Sequence, residues 1–240
     1  MSGWDRGARR RCRVGGRPLS TAATAYPERV VGVLGGTFDP IHYGHLRPAA
    51  EAAALLGLTE VRVVPAAAAP LRGAALATAA QRLRMAELAV AEFSGFRVDD
   101  REIRRGGPSY TVDTLESLRA ELGPVPLVLL MGMDQFLKLE QWHRWRELLR
   151  LAHVAVLTRP GYPQPSLPAW AGANYRADTA PLRQAAAGLL GFVPASMQDV
   201  SATEIRRRRA AGQSIAGLTP PAVQAYIEEH GLYGRSPRGS

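Results

Sequence analysis

Cysteine is almost missing from this 240-residue chain; Cys12 stands alone. A single cysteine makes no internal disulfide and no cysteine-built zinc site, and it fits a reducing, cytoplasmic setting. Lysine is as scarce: Lys138 is the only one, and the other basic residues are arginine. No apolar run approaches the ~20 residues that cross a bilayer, which argues against a spanning helix and a membrane partner. What is present is ample core material. Hydrophobic residues make up 46% of the chain, enough to bury one sizeable domain.

Charge points less far than its size suggests. Thirty basic residues against 21 acidic ones leave a formal +9, a value that raises the question of a nucleic-acid partner. Residues 1–29 hold seven arginines against Asp5 and Glu28, so this short segment carries over half of the excess. With alanine so abundant, the arginine excess reads as a coding bias rather than a built basic face, and no nucleic acid is expected. Residues 1–27 are expected to form a disordered Arg-rich tail. A transit peptide has a similar composition but would show amphipathic periodicity, and a secretory signal would need an apolar stretch. Residues 28–233 are expected to form one domain, followed by a tail at 234–240.

Within that domain, strand and helix patterns alternate. Residues 29–34 form an apolar run ending in Gly35-Gly36 and read as a buried strand. Residues 46–56 are rich in Ala and Leu, end at Gly57 and read as a helix. Further strands are expected at 61–64, 96–99, 127–131, 154–157 and 189–193. Helices are expected at 79–93, 112–122, 134–151, 203–211 and 220–230, with a loop at 162–181. Such alternation predicts an α/β fold, a doubly wound parallel sheet whose ligands sit at the carboxyl ends of the strands.

The residues that follow strands carry the chemistry. Gly35 and Gly36 let a ligand approach the backbone closely. The next helix should begin near His42, where free N–H groups and the helix dipole favour an anion. His42 and His45 lie three apart, on one helical face, and suit donation to a phosphate. No zinc ligands accompany them, and no protein-bound metal is expected. Later, Ser201 and Thr203 stand where a helix cap belongs, and Arg206 lies one turn beyond Thr203. Thr111 marks another helix start. Asp134 follows Gly132 at a strand end, where a carboxylate can accept from sugar hydroxyls or cap a helix. Trp142 and Trp145, three apart in a leucine-rich stretch, read by themselves as core.

The segment Gly35-Gly36-Thr37-Phe38-Asp39-Pro40-Ile41-His42-Tyr43-Gly44-His45 resembles the signature of the nucleotidyltransferase superfamily. With Ser201-Ala202-Thr203-Glu204-Ile205-Arg206, Ser109-Tyr110-Thr111, Gly132-Met133-Asp134, Trp142 and Arg159-Pro160-Gly161, the chain resembles bacterial nicotinate-mononucleotide adenylyltransferases from about Val31 to Tyr233. The resemblance implies a Rossmann-like sheet with C-terminal helices, and transfer of AMP from ATP to nicotinate mononucleotide. It implies that His42, His45 and Arg206 act on the phosphates. Gly35, Gly36, Thr37, Phe38, Gly132, Asp134, Ser201 and Thr203 would bind ATP. Tyr110, Thr111, Trp142, His143, Arg159 and Arg72 would bind the second substrate, with Trp142 stacked on the pyridine ring and Trp145 left to the core. Mg²⁺ would arrive mainly on ATP, and a homo-oligomer remains open.

Two positions depart from the pattern. Ala202 replaces a serine of the second phosphate motif. Ala69-Pro70-Leu71-Arg72 stands where the family has Pro-Pro-His and a basic residue. The nearest rival readings are a sister transferase acting on phosphopantetheine or a cytidine nucleotide, and a nucleotide sensor that has lost catalysis.

Overall fold

The computed structural model describes residues 29–70, 73–161, 167–178 and 180–234. The expected tail at 1–27 and nearly all of the one at 234–240 lie outside these residues, as do Leu71 and Arg72.

Six parallel strands form one sheet: β1 (Val31–Gly36), β2 (Glu60–Pro65), β3 (Phe96–Val98), β4 (Leu127–Gly132), β5 (His153–Thr158) and β6 (Leu190–Pro194). Their spatial order is β3-β2-β1-β4-β5-β6. The chain runs outward from β1 in one direction, then returns to start again at β4. The strand order therefore reverses between β1 and β4, where Val31 pairs with Leu127 and Leu34 with Leu130. This is the doubly wound order, with its ligand crevice expected at the reversal.

Successive strand residues face opposite layers. Leu34, Val61, Val63, Val128 and Leu130 pack with α1 (Tyr43–Leu56), α2 (Ala79–Val90), α7 (Ala202–Ala210) and α8 (Pro221–Glu229). Val33, Val64, Leu129 and Met131 pack on the other side with α4 (Thr111–Leu122), α5 (Met133–Phe136) and α6 (Leu148–Leu151). Each fully buried Leu or Val contributes roughly 1.5–3 kcal/mol. Gly57 ends α1 at φ 60°, a conformation that glycine adopts without strain. Thr78 and Gln81 form a reciprocal cap at the start of α2.

One expectation needs correction, and two features lie outside what the sequence led us to expect. The long helix expected over 134–151 is broken into α5, two 3-10 turns at Leu139–Gln141 and Trp145–Glu147, and α6. Trp142 is extended between the turns and Arg144 is left-handed at φ 51°. Arg144 is held there by Glu116, Glu147 and Asp113. Trp142 and Trp145 therefore share no helical face. A short helix, α3 (Arg101–Arg105), follows β3 in a stretch for which no element is expected. Finally, part of the arginine excess is interior. Arg62 and Arg101 are buried with Glu60 and Asp99; Arg62 reaches Asp99 at 2.9 Å and Arg101 reaches it at 2.7 Å.

Candidate active site

The crevice begins where β1 ends. Gly36 leaves no room for a side chain, since a Cβ there would meet the Phe38 ring at 2.6 Å. A Cβ on Gly35 would meet nothing within 4 Å among the described residues, so their packing does not demand a glycine there. Phe38 follows with φ 52°, rare for a residue with a side chain, and it is 2% exposed. Its ring stands edge-on to His45, with centroids 5.1 Å apart. Phe38 thus braces a histidine, and only its backbone can meet a ligand. Strained non-glycine residues cluster at functional sites, and this one sits in the expected loop.

His42 is the N-cap of α1, and its N–H donates to His45 Nδ1 at 3.3 Å. The two rings stack with centroids 3.7 Å apart. Burial pushes the His42 imidazolium pKa down to about 4, so the ring is neutral at physiological pH. Its Nδ1 is buried and has no hydrogen-bond partner among the described residues. Gly44 lies against this ring; a Cβ there would meet the Val200 carbonyl at 2.7 Å and His42 Nδ1 at 2.9 Å.

The second phosphate motif folds onto the first. Ser201 caps α7 by accepting from the Glu204 N–H at 3.1 Å, so its hydroxyl has a structural use as well. Arg206 bonds Thr203 Oγ1 at 3.2 Å through one nitrogen and the Asp39 carbonyl at 2.7 Å through another. Residues 167 positions apart are thereby joined. Asp39 supports the same junction. Its carboxylate accepts from the Leu76 and Ala77 N–H groups at 2.8 and 3.0 Å. It also accepts from the Tyr233 hydroxyl at 2.7 Å.

A second group of expected residues meets across the β4 end. Tyr110 precedes α4 and leaves that helix without a side-chain cap. Its ring lies against His143, with centroids 4.3 Å apart. The ion pairs of Arg144 with α4 hold the 142–147 segment there. Trp142 is half-buried against the second core layer, and Trp145 packs on Trp170 with centroids 5.1 Å apart. Asp134 is exposed and folds back on Gly132, where a Cβ would meet its Oδ1 at 2.8 Å. Arg159 is exposed just past β5. Arg72 lies outside the described residues. Tyr233 enters the sequence analysis only as the end of the family resemblance, and no local pattern marks it as an anchor of Asp39.

Among the described residues, no group of three or more His, Cys, Asp or Glu could hold a metal ion. None of their helices is long and apolar enough to cross a membrane.

Comparison with known proteins fits this geometry. A family model described as cytidylyltransferase-like matches residues 33–208. A protein of Pseudomonas syringae pv. tomato is 49% identical over 218 residues, covering 88% of this chain and 96% of that protein. One from Aeromonas hydrophila is 48% identical over 210 residues, covering 85% and 96%. Both carry the name "Probable nicotinate-nucleotide adenylyltransferase". Among solved structures, the Plasmodium falciparum nicotinic acid mononucleotide adenylyltransferase complexed with NaAD superposes with a TM-score of 0.63. It is 18% identical and covers 85% of this chain and 97% of that one, a likeness of fold.

Proposed function

The chain belongs to the nicotinate-nucleotide adenylyltransferase family, and we propose that the crevice between β1 and β4 joins the adenylyl group of ATP to nicotinate mononucleotide. The products are nicotinate adenine dinucleotide and pyrophosphate. The observation that carries the assignment of the site is the bond from Arg206 to the Asp39 carbonyl, which brings both phosphate motifs to one place.

The phosphate of nicotinate mononucleotide attacks the α-phosphorus of ATP, the α–β bridging bond breaks, and the electron pair leaves with pyrophosphate. The attacking oxygen is already anionic, so no protein nucleophile is required. The protein's work is positioning and charge stabilisation. Arg206 offers its fixed positive charge, and the α1 N-terminus offers N–H groups and the His42–His45 pair. Gly35, Gly36, Thr37 and the Phe38 backbone form the wall that the nucleotide lies against, which accounts for a glycine at position 35. Ser201 and Thr203 hold the triphosphate from α7, and Gly132 and Asp134 meet the ribose side of the nucleotide.

Mg²⁺, carried by ATP, would supply positive charge that offsets the phosphates, beside the charge that Arg206 offers.

The pyridine nucleotide lies toward α4. The uncapped N–H groups at Thr111 and the backbone at His143 receive the nicotinate carboxylate, Tyr110 lines the pocket, and Trp142 offers its face to the cationic ring. Arg159, with Arg72, serves the mononucleotide phosphate. An anion-accepting helix start favours the acid over the neutral amide.

Pyrophosphate release from ATP and Mg²⁺ tests this, with nicotinate mononucleotide and nicotinamide mononucleotide side by side. Turnover with the acid and little with the amide is expected. Preference for the amide would refute the carboxylate pocket, and inactivity with both would refute the reaction.

A further inference from the structure

Arg82 is a large, buried side chain, 2% exposed, and neither phosphate motif contains it. A buried guanidinium is tolerated only when its donors are satisfied. Among the described residues no carboxylate accepts a hydrogen bond from it, although the nearby Asp39 charge favours the guanidinium. Arg82 donates to three main-chain carbonyls: Nη1 to Thr37 at 2.7 Å, Nη2 to Ala67 at 3.0 Å and Nε to Ala77 at 3.3 Å. All three lie in loops. Thr37 follows β1, Ala67 follows β2, and Ala77 precedes α2.

The Ala67 peptide is also gripped from its other side. Its N–H donates to Ser109 Oγ at 2.9 Å, and the Ser109 N–H donates to the Ala68 carbonyl at 2.8 Å. Ser109 directly precedes Tyr110 and Thr111. A continuous hydrogen-bonded path therefore runs from Thr37 through Arg82 and Ala67 to Ser109. It joins the loop facing ATP to the loop facing the pyridine nucleotide.

We propose that Arg82 and Ser109 clamp the Ala67 peptide between them and so hold the two substrate loops in one register. Arg82 is a positioning residue in this role. The proposal rests on the assignment of the two loops to the two substrates made above. It explains why an arginine is buried here. Its planar fork reaches acceptors in several fixed directions, whereas a lysine ammonium is one compact point of charge. In-line attack by one substrate on the other depends on their relative placement, and a misplacement near 1 Å can cost about a hundredfold in rate.

The test uses Arg82→Lys, Ser109→Ala and the double variant, with steady-state kinetics for each substrate. Arg82→Lys should raise both KM values and lower kcat, by about tenfold each. Ser109→Ala should raise KM for nicotinate mononucleotide and leave KM for ATP within about twofold. The double variant should be no worse than Arg82→Lys toward nicotinate mononucleotide, because both changes break one clamp. A purely structural arginine would lower the amount of active enzyme with both KM values unchanged, and that result overturns the proposal. So does multiplication of the two single effects in the double variant.

Amide hydrogen exchange reads the clamp without substrate. Arg82→Lys should speed exchange at Ala67 and Ser109 together and leave Leu118 inside α4 unchanged; unchanged exchange at Ser109 overturns the clamp. A wild-type enzyme inactive with both pyridine nucleotides would instead refute the functional reading, and the exchange result would still decide the clamp.

Discussion

The Tyr233 hydroxyl donates to Asp39 Oδ1 at 2.7 Å across 194 residues of sequence, so the end of the domain closes on the loop after β1. Burial and the Asp39 carboxylate both raise the phenol pKa, and the proton stays on the tyrosine as the donor. Tyr233 adopts φ 58° to reach it. Removing this donor leaves the buried Asp39 oxygen one bond short. Tyr233→Phe should cost roughly 1–3 kcal/mol in chemical denaturation, and should raise KM for ATP because Asp39 holds the carbonyl that Arg206 uses. Unchanged stability and kinetics would show that the closure is passive.

His45 is braced on one side by Phe38 and on the other by His42. A donor aimed at charge that develops during transfer should matter more to turnover than to binding. His45→Ala is expected to lower kcat by ~10²–10³ with KM for ATP little changed. Near-normal turnover would remove His45 from the mechanism.

His42 gives the enzyme an acid-side weakness. Its folded pKa is about 4 against an ordinary value of 6.5, because burial penalises the imidazolium. Below pH 6.5 the unfolded chain therefore binds a proton that the folded chain resists. The His42 contribution is fully present above pH 6.5 and is lost as pH falls toward 4. Buried His153 is shifted in the same direction by burial, so a difference measurement is needed. Between pH 6.5 and 4, wild type should lose roughly 2–3 kcal/mol more stability than His42→Gln, measured by urea unfolding. Parallel curves for the two proteins would show that the His42 ring is hydrated or charged.

The parts of this fold that depend on near neighbours were readable from sequence. β1, β2 and β4 are largely apolar runs that end in Gly or Pro, β5 is a largely apolar run, and all four fall within two residues of the expected spans. His42, His45, Ser201, Thr203 and Arg206 are candidates from sequence because each motif is local and lies at a helix start. What was not readable is set by distant partners. The 134–151 stretch has helical composition, but Arg144 is drawn into a left-handed conformation by Glu116 on α4, 28 residues away. Arg82 looks like an ordinary solvent-facing helix residue until three loop carbonyls close around it. The contact between Arg206 and Asp39 involves a backbone carbonyl, which no residue pattern can announce.

The break in that stretch also gives the two tryptophans different surroundings. Trp142 sits in extended backbone beside His143, whose ring lies against Tyr110 at the start of α4. Trp145 packs on Trp170, and the Arg146 guanidinium lies over the Trp145 ring, 4.5 Å from its centroid. A face offered to a cationic pyridine ring is worth about 0.5–2 kcal/mol, or roughly two- to thirtyfold in affinity. Trp142→Ala should therefore raise KM for nicotinate mononucleotide within that range and leave KM for ATP unchanged. Trp145→Ala removes aromatic packing instead, and should lower the unfolding midpoint while sparing both KM values. The comparison is internal, since both changes delete the same side chain three residues apart. If Trp145→Ala selectively raised KM for the pyridine nucleotide and Trp142→Ala did not, the stacking role would pass to Trp145. The pocket would then lie toward Trp170 rather than Tyr110.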